Sequence, residues 1–127
     1  MRRASLAGAV LVLLLAATAG AGTVADPGVT AKTVVLGGTV PLSGEAAAFG
    51  SVGPGAKAYF DYVNAKGGVN GRKIDYRFYN DGYDPAQTVQ LTRKLVEQEK
   101  VFAIFNSVGT ANNLAIRDYL KDRKSVV

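Results

Sequence analysis

Two short and continuous apolar runs, separated by segments with helical spacing, constrain the fold of this chain most strongly. The first run, Thr33–Val40, reads TVVLGGTV and stops at Pro41, and the second, residues 101–105, reads VFAIF. Neither run alternates polar with apolar residues, which predicts strands that are covered on both faces. Buried strands joined through helices are typical of a parallel α/β sheet.

A third strand differs from these two in its pattern. Residues 73–79 alternate Ile74, Tyr76 and Phe78 with polar or amphipathic neighbours, after an Asn-Gly turn signal at Asn70. Such alternation predicts one wetter face, and therefore a strand at the margin of the sheet.

Three helices are predicted between and after the strands. Their expected bounds are residues 51–66, which end at a Gly-Gly pair, residues 84 to about 100, and residues 111–123. Asp84 is expected to cap the second helix, with Pro85 at its first position. The side chains expected to face inward are Val52, Ala56, Tyr59, Phe60 and Val63 in the first helix, Val89, Leu91, Leu95 and Val96 in the second, and Ala115, Ile116, Tyr119 and Leu120 in the third.

The resulting order, β-α-β-α-β-α with short connections, predicts a three-layer α-β-α unit with right-handed crossovers and strand order 2-1-3. In such sheets ligands bind beyond the carboxyl ends of the strands, where the strand order reverses. The loops at residues 41–50 and 106–110 are therefore the expected site. Phe49 is interpreted either as an apolar wall for a ligand or as an ordinary core or rim aromatic.

The start of the third helix offers free main-chain N–H groups and the positive end of the helix dipole, which favour an anion such as a carboxylate. Thr110 is expected to cap this helix, and ligand contact is a compatible second role. Asp81 and Asp84 form an imaginable metal pair, but a surface loop with one helix cap explains both acids without a cation.

Composition and motifs exclude several classes of function. The chain has no cysteine and no histidine, so it lacks thiol nucleophiles, imidazole bases and two common metal ligands. Its glycines fit neither G-x-G-x-x-G nor G-x-x-x-x-G-K-[ST], the two common nucleotide-binding motifs, so no cofactor is expected. Basic and acidic residues are interleaved along the chain, so no nucleic-acid partner is expected. An enzyme of the nucleotide-dependent α/β type is therefore disfavoured.

Residues 1–25 have the features of a cleaved signal peptide. Arg2 and Arg3 precede an apolar run at residues 6–19, and small residues then offer cleavage near Ala21 or Ala25. The apolar run is shorter than the ~20 residues that span a membrane. The expected location of the mature chain, residues 26–127, is the periplasm.

Three motifs resemble the leucine-, isoleucine- and valine-binding proteins, which are type I periplasmic binding proteins serving ABC transporters. They are PLSGEAAAFG at the end of the first strand, NAKGGVNG at the end of the first helix, and NDGYDPAQTV at the start of the second helix. The resemblance implies a longer, two-lobed, monomeric receptor that closes around an amino-acid-like solute and delivers it to a membrane permease, without catalysis. It also implies ligand contacts at Phe49, Val108, Gly109 and Thr110, with Gly109 standing where the family often has serine.

On the same resemblance, residues 26–127 correspond to the first part of the amino-terminal lobe, and a fourth strand is expected near the end of the sequence. The other lobe, which supplies most of the ammonium site in the family, lies outside these residues. A sensor domain of a signalling receptor built on the same fold remains the alternative to a transport receptor.

Overall fold

The computed structural model describes residues 26–123, so the predicted signal peptide lies outside the described residues. The strands are β1 (Thr33–Val40), β2 (Lys73–Asn80) and β3 (Ala103–Ile104), and the α-helices are α1 (Val52–Ala65), α2 (Pro85–Arg93) and α3 (Thr110–Asp122). A 3-10 turn at Ala47–Phe49 precedes α1, and a π-helical segment at Lys94–Gln98 continues α2. Within this described part, no helix is long and apolar enough to cross a membrane.

The three strands form one parallel sheet in the order β2-β1-β3, as the sequence predicts. β1 pairs with β2 along its whole length, from Thr33 opposite Lys73 to Val40 opposite Asn80. Central β1 becomes fully buried towards its carboxyl end, and β2 lies at the edge. The α/β architecture and the strand order 2-1-3 are therefore confirmed.

β3 is shorter than predicted. Regular pairing with β1 covers only Ala103 and Ile104 instead of residues 101–105. Single hydrogen bonds extend the contact on either side, from the Phe102 N–H to the Val35 oxygen and from the Phe105 N–H to the Gly37 oxygen. Among the described residues β3 has a neighbour on one side only, which leaves its ends without the second ladder that an interior strand has.

The main apolar core lies between the sheet and the layer formed by α2 and α3. Its buried members are Leu95, Val101, Ile104, Ile116 and Leu120. Burial of each of these side chains contributes about 1.5–3 kcal/mol. This core fixes α3 against β3 and so positions the loop between them.

A second layer, α1, covers the other face of the sheet. The Phe60 ring lies 5.5 Å from that of Tyr76 and 5.4 Å from that of Phe105. Gly53 sits so close to the sheet that a Cβ there would lie 2.9 Å from the Val40 and Phe78 side chains. Tyr59, which was expected to face inward, is instead 64% exposed, because Phe60 occupies the stripe of α1 that meets the sheet.

The start of α2 follows the prediction and its end does not. Asp84 caps the helix by accepting a hydrogen bond from the Ala86 N–H at 2.8 Å, with Pro85 in the first helical position. The regular α-helix ends at Arg93 instead of continuing to residue 100, because the π-helical segment widens the last turns. In α3 the predicted inward residue Ala115 is exposed, while Ile116 and Leu120 are buried as expected.

Candidate functional site

The strand order reverses between β1 and β3, and their carboxyl ends meet there. The hydroxyl oxygens of Thr39, near the end of β1, and Ser107, just after β3, lie 2.9 Å apart. Thr39 is fully buried and Ser107 is half-buried. The two loops expected from the sequence to form the site therefore leave the sheet side by side.

The first loop, residues 41–50, is fastened to the end of β2. The Asn80 side chain accepts a hydrogen bond from the Leu42 N–H at 2.8 Å and donates one to the Ser43 hydroxyl at 2.7 Å. Farther along, Phe49 closes the 3-10 turn and is 62% exposed. Phe49 is thus a surface aromatic at this end of the molecule, and burial in the core does not explain it.

The second loop, residues 105–109, uses a conformation that favours glycine. The Val108 N–H donates a hydrogen bond to the main-chain oxygen of Thr39 at 3.1 Å, so this N–H is not free to bind a ligand. Gly109 has φ 108°, a value that side chains disfavour, and a Cβ there would lie 2.7 Å from the Tyr83 ring. The serine that the family often has at this position does not fit this conformation without a backbone change.

Thr110 does not cap α3, contrary to the expectation. Gly109 occupies the N-cap position and Thr110 is the first helical residue, and no side chain of the described residues caps this helix end. Within residues 26–123 the N–H groups of Gly109, Thr110 and Ala111 meet no acceptor. They remain as donors at the positive end of the helix dipole.

Asn113 braces the same loop from inside α3. Its side-chain amide donates hydrogen bonds to two main-chain oxygens, that of Ser107 at 2.9 Å and that of Gly109 at 2.7 Å. The loop carbonyls are thereby turned towards α3, which leaves the N–H side of the loop for a ligand.

An open groove of about 650 Å³ begins at this helix start. Its walls include two of the predicted site residues, Gly109 and Thr110, whereas Phe49 and Val108 do not line it. The lining residues are Tyr83, Gly109, Thr110, Asn113, Leu114 and Arg117. The groove combines an aromatic ring, an aliphatic side chain and a guanidinium, which suits an amphipathic solute.

A buried polar cluster lies behind the groove. Asp81 is only 2% exposed, and its carboxylate accepts hydrogen bonds from the Tyr83 N–H, the Thr88 hydroxyl and the Asn112 amide at 3.0, 2.8 and 3.2 Å. Asn112 also donates to the Thr88 hydroxyl at 2.7 Å. The interpretation of Asp81 as a surface-loop acid is therefore wrong, because α2 and α3 close over it.

Sequence reasoning missed Asn80, Thr88, Ser107 and Asn112 as residues that shape the site. Only Asn80 carried a usable signal, since it is a polar residue at the end of a predicted strand and opposite the first loop. Among the described residues no three histidine, cysteine, aspartate or glutamate side chains are grouped to hold a metal ion.

Comparison with known proteins identifies the class to which this fold and site belong. The profile of the periplasmic binding protein family matches residues 33–127, and the chain belongs to that family. A Leu/Ile/Val-binding protein homolog of Brucella abortus is 37% identical over 87 residues, which are 66% of this chain and 24% of that protein.

Solved structures agree with the sequence comparison. A fatty acid ABC transporter substrate-binding protein from Thermomonospora curvata has a TM-score of 0.69 and 33% identity, and the match covers 79% of this chain and 25% of that one. A branched-chain amino acid transporter substrate-binding protein from Streptococcus pneumoniae, in complex with isoleucine, has a TM-score of 0.68, 27% identity and coverage of 74% and 27%. The chain thus spans about a quarter of the length of these relatives.

Proposed function

We propose that this chain forms part of the solute-binding component of an ABC transporter, and that it receives the carboxylate of a small amphipathic solute. The observation that carries the proposal is the set of N–H groups at Gly109, Thr110 and Ala111, which meet no acceptor within residues 26–123 and lie beside an open groove where the strand order reverses. A helix start of this kind binds anions through its N–H donors and its dipole.

The Thr110 hydroxyl, Phe49 and Val108 complete the proposed site. The Thr110 hydroxyl has no hydrogen-bond partner among the described residues and is available to a carboxylate oxygen. The exposed ring of Phe49 lies outside the groove, on the neighbouring site loop, and is proposed as an additional apolar surface for the solute. Val108 contributes its side chain and the path of the loop, since its N–H is engaged by Thr39.

Branched-chain amino acids are the first solute class we propose, in keeping with the relatives from Brucella abortus and Streptococcus pneumoniae. The likeness to a fatty acid binder from Thermomonospora curvata makes fatty acids the second class. Both classes carry a carboxylate and an apolar body. The proposal includes export to the periplasm, delivery to a permease and the absence of catalysis.

A thermal-shift screen of the protein, produced from its full natural reading frame, tests this function. L-leucine, L-leucinamide and decanoate form a matched set, because the amide lacks the carboxylate and decanoate lacks the ammonium group. Stabilisation by leucine and not by leucinamide supports carboxylate recognition of an amino acid, since a ligand that binds only the native state raises its stability. Stabilisation by decanoate alone selects the fatty acid class, and stabilisation by a nucleotide alone contradicts the proposal.

Variants of the proposed site sharpen the test. Thr110→Val should weaken leucine binding about tenfold and leave the melting temperature unchanged, because the Thr110 hydroxyl caps no helix in the described part of the chain. Phe49→Ala should also weaken binding. Tyr59→Ala is its matched control, because Tyr59 is 64% exposed against 62% for Phe49 but lies on α1, outside the two site loops.

A further inference from the structure

We propose that Asn80 and Asp81, adjacent residues at the carboxyl end of β2, are positioning residues that each hold one of the two site loops. Neither is proposed to touch the solute. The inference rests on the proposed function for its effect on binding, and its structural part stands on the hydrogen bonds alone.

Strand geometry explains how two neighbours reach two different loops. Successive side chains of a strand point to opposite faces of the sheet. Tyr79 packs with the core under α2 and α3, so Asn80 faces the side of α1 and Asp81 returns to the side of α2 and α3. The end of one edge strand thus reaches both layers.

Asn80 organises the first loop. Its side-chain oxygen accepts from the Leu42 N–H at 2.8 Å and from the Gly82 N–H at 3.0 Å, and its amide donates to the Ser43 hydroxyl at 2.7 Å. Gly44 then passes so close to Gly82 that a Cβ on Gly44 would lie 3.1 Å from the Gly82 oxygen. One side chain therefore fixes the direction in which the chain leaves β1 towards Phe49.

Asp81 organises the second loop through Asn112. The Asn112 amide donates to the Asp81 carboxylate at 3.2 Å, and Asn112 is fully buried. Its side-chain oxygen would lie 2.8 Å from a Cβ on Gly109, so Asn112 packs directly against the Gly109 main chain. Asp81 therefore fixes the position of Gly109 through Asn112. It thereby also fixes the direction in which the N–H groups of Thr110 and Ala111 point.

The Asp81 carboxylate is held by neutral donors. Within residues 26–123 it forms no ion pair with a lysine or arginine. A buried carboxylate is costly unless its oxygens are hydrogen-bonded, which ties its presence to the geometry of Tyr83, Thr88 and Asn112. This dependence makes the cluster specific in shape.

The first test measures leucine affinity by calorimetry on the protein from its full natural reading frame. Asn80→Leu should raise the dissociation constant about tenfold or more, whereas Asn80→Asp keeps the acceptor oxygens and should stay within about threefold. Asn64→Leu is the matched control, because Asn64 also bonds twice to the main chain, at Ile74 N and O, but at the other end of β2. Equal losses in Asn80→Leu and Asn64→Leu would overturn the inference.

Exchanging the side chains of Asp81 and Asn112 tests the proposed positioning role of Asp81. Asn112→Asp places two buried carboxylates together and should weaken leucine binding about tenfold or more, while Asp81→Asn with Asn112→Asp restores one carboxylate and one amide and should recover most of the affinity. If the double variant has a normal melting temperature but does not recover leucine affinity, Asp81 does not have the proposed positioning role.

Hydrogen exchange separates this inference from the proposed function. With no ligand present, the Leu42 amide should exchange about tenfold faster in Asn80→Leu, which leaves it only the longer hydrogen bond to the Val40 main-chain oxygen at 3.1 Å. Its exchange rate should not change in Asn64→Leu. If the unmodified protein binds no leucine, the proposed amino-acid function fails and the exchange result alone decides the inference. Unchanged Leu42 exchange in Asn80→Leu contradicts it in either case.

Discussion

The Thr39 and Ser107 hydroxyl oxygens lie 2.9 Å apart and join the ends of β1 and β3 at the point where the strand order reverses. Thr39→Val should lower the free energy of unfolding by about 1 kcal/mol, because it removes this bond while keeping the side-chain volume. A double-mutant cycle with Ser107→Ala, followed by chemical denaturation, measures the coupling. Strictly additive losses would show that the two hydroxyls do not stabilise each other.

Gly109→Ala should destabilise the protein and weaken solute binding together. The positive φ and the 2.7 Å approach to the Tyr83 ring leave no place for a methyl group, and the expected loss in unfolding free energy is about 1–3 kcal/mol. Gly55→Ala is the control, because a Cβ at Gly55 meets nothing within 4 Å and alanine is the better helix former. That variant should gain about 0.5–1 kcal/mol. A neutral Gly109→Ala would contradict the loop conformation.

The predictability of each element follows from where its determinants lie. The sequence predicts the bounds of β1 correctly, because eight consecutive residues without polar–apolar alternation indicate burial on both faces. It predicts the cap at Asp84 correctly because capping is a local interaction. β3 was predicted too long because its pairing depends on neighbours on both sides, which the local sequence does not describe.

The site shows the same division between local and distant causes. The strand order predicts the positions of both loops correctly. The prediction that Thr110 caps α3 is wrong, because the sequence does not show the backbone angles of Gly109. The burial of Asp81 depends on Thr88 and Asn112, which are seven and 31 residues away along the chain. No local pattern announces such a cluster.

Asp84→Ala should lower the free energy of unfolding by about 1 kcal/mol, because the Ala86 N–H loses its acceptor at the start of α2. Thermal or urea denaturation measures the loss, and Asp84→Ser should restore most of it. Asp122→Ala is the control, because Asp122 lies exposed in the last turn of α3, where a negative charge opposes the helix dipole. An equal loss in both variants would show that the cap at Asp84 contributes nothing specific.

The Tyr76 hydroxyl links solution pH to the packing of the sheet under α1. Burial raises the pKa of Tyr76 to about 12 from an ordinary value of 10.0, because the phenolate is poorly solvated there. The unfolded chain releases this proton at lower pH than the folded one, so the Tyr76 contribution to stability is complete below pH 10 and declines as the pH rises towards about 12.

Urea denaturation at several pH values between 9 and 12, on the unmodified protein and on Tyr76→Phe, measures this contribution. Tyr76→Phe should remove that part of the decline in stability, at little other cost, because the hydrogen bond from the Tyr76 hydroxyl to the Phe105 oxygen is long at 3.4 Å. In ultraviolet difference spectra recorded during a pH titration, Tyr76→Phe should show one fewer tyrosine that ionises near pH 12 than the unmodified protein does. Identical pH profiles for the two proteins would mean that the Tyr76 ring is solvated in solution, and that α1 does not pack on β2 as described.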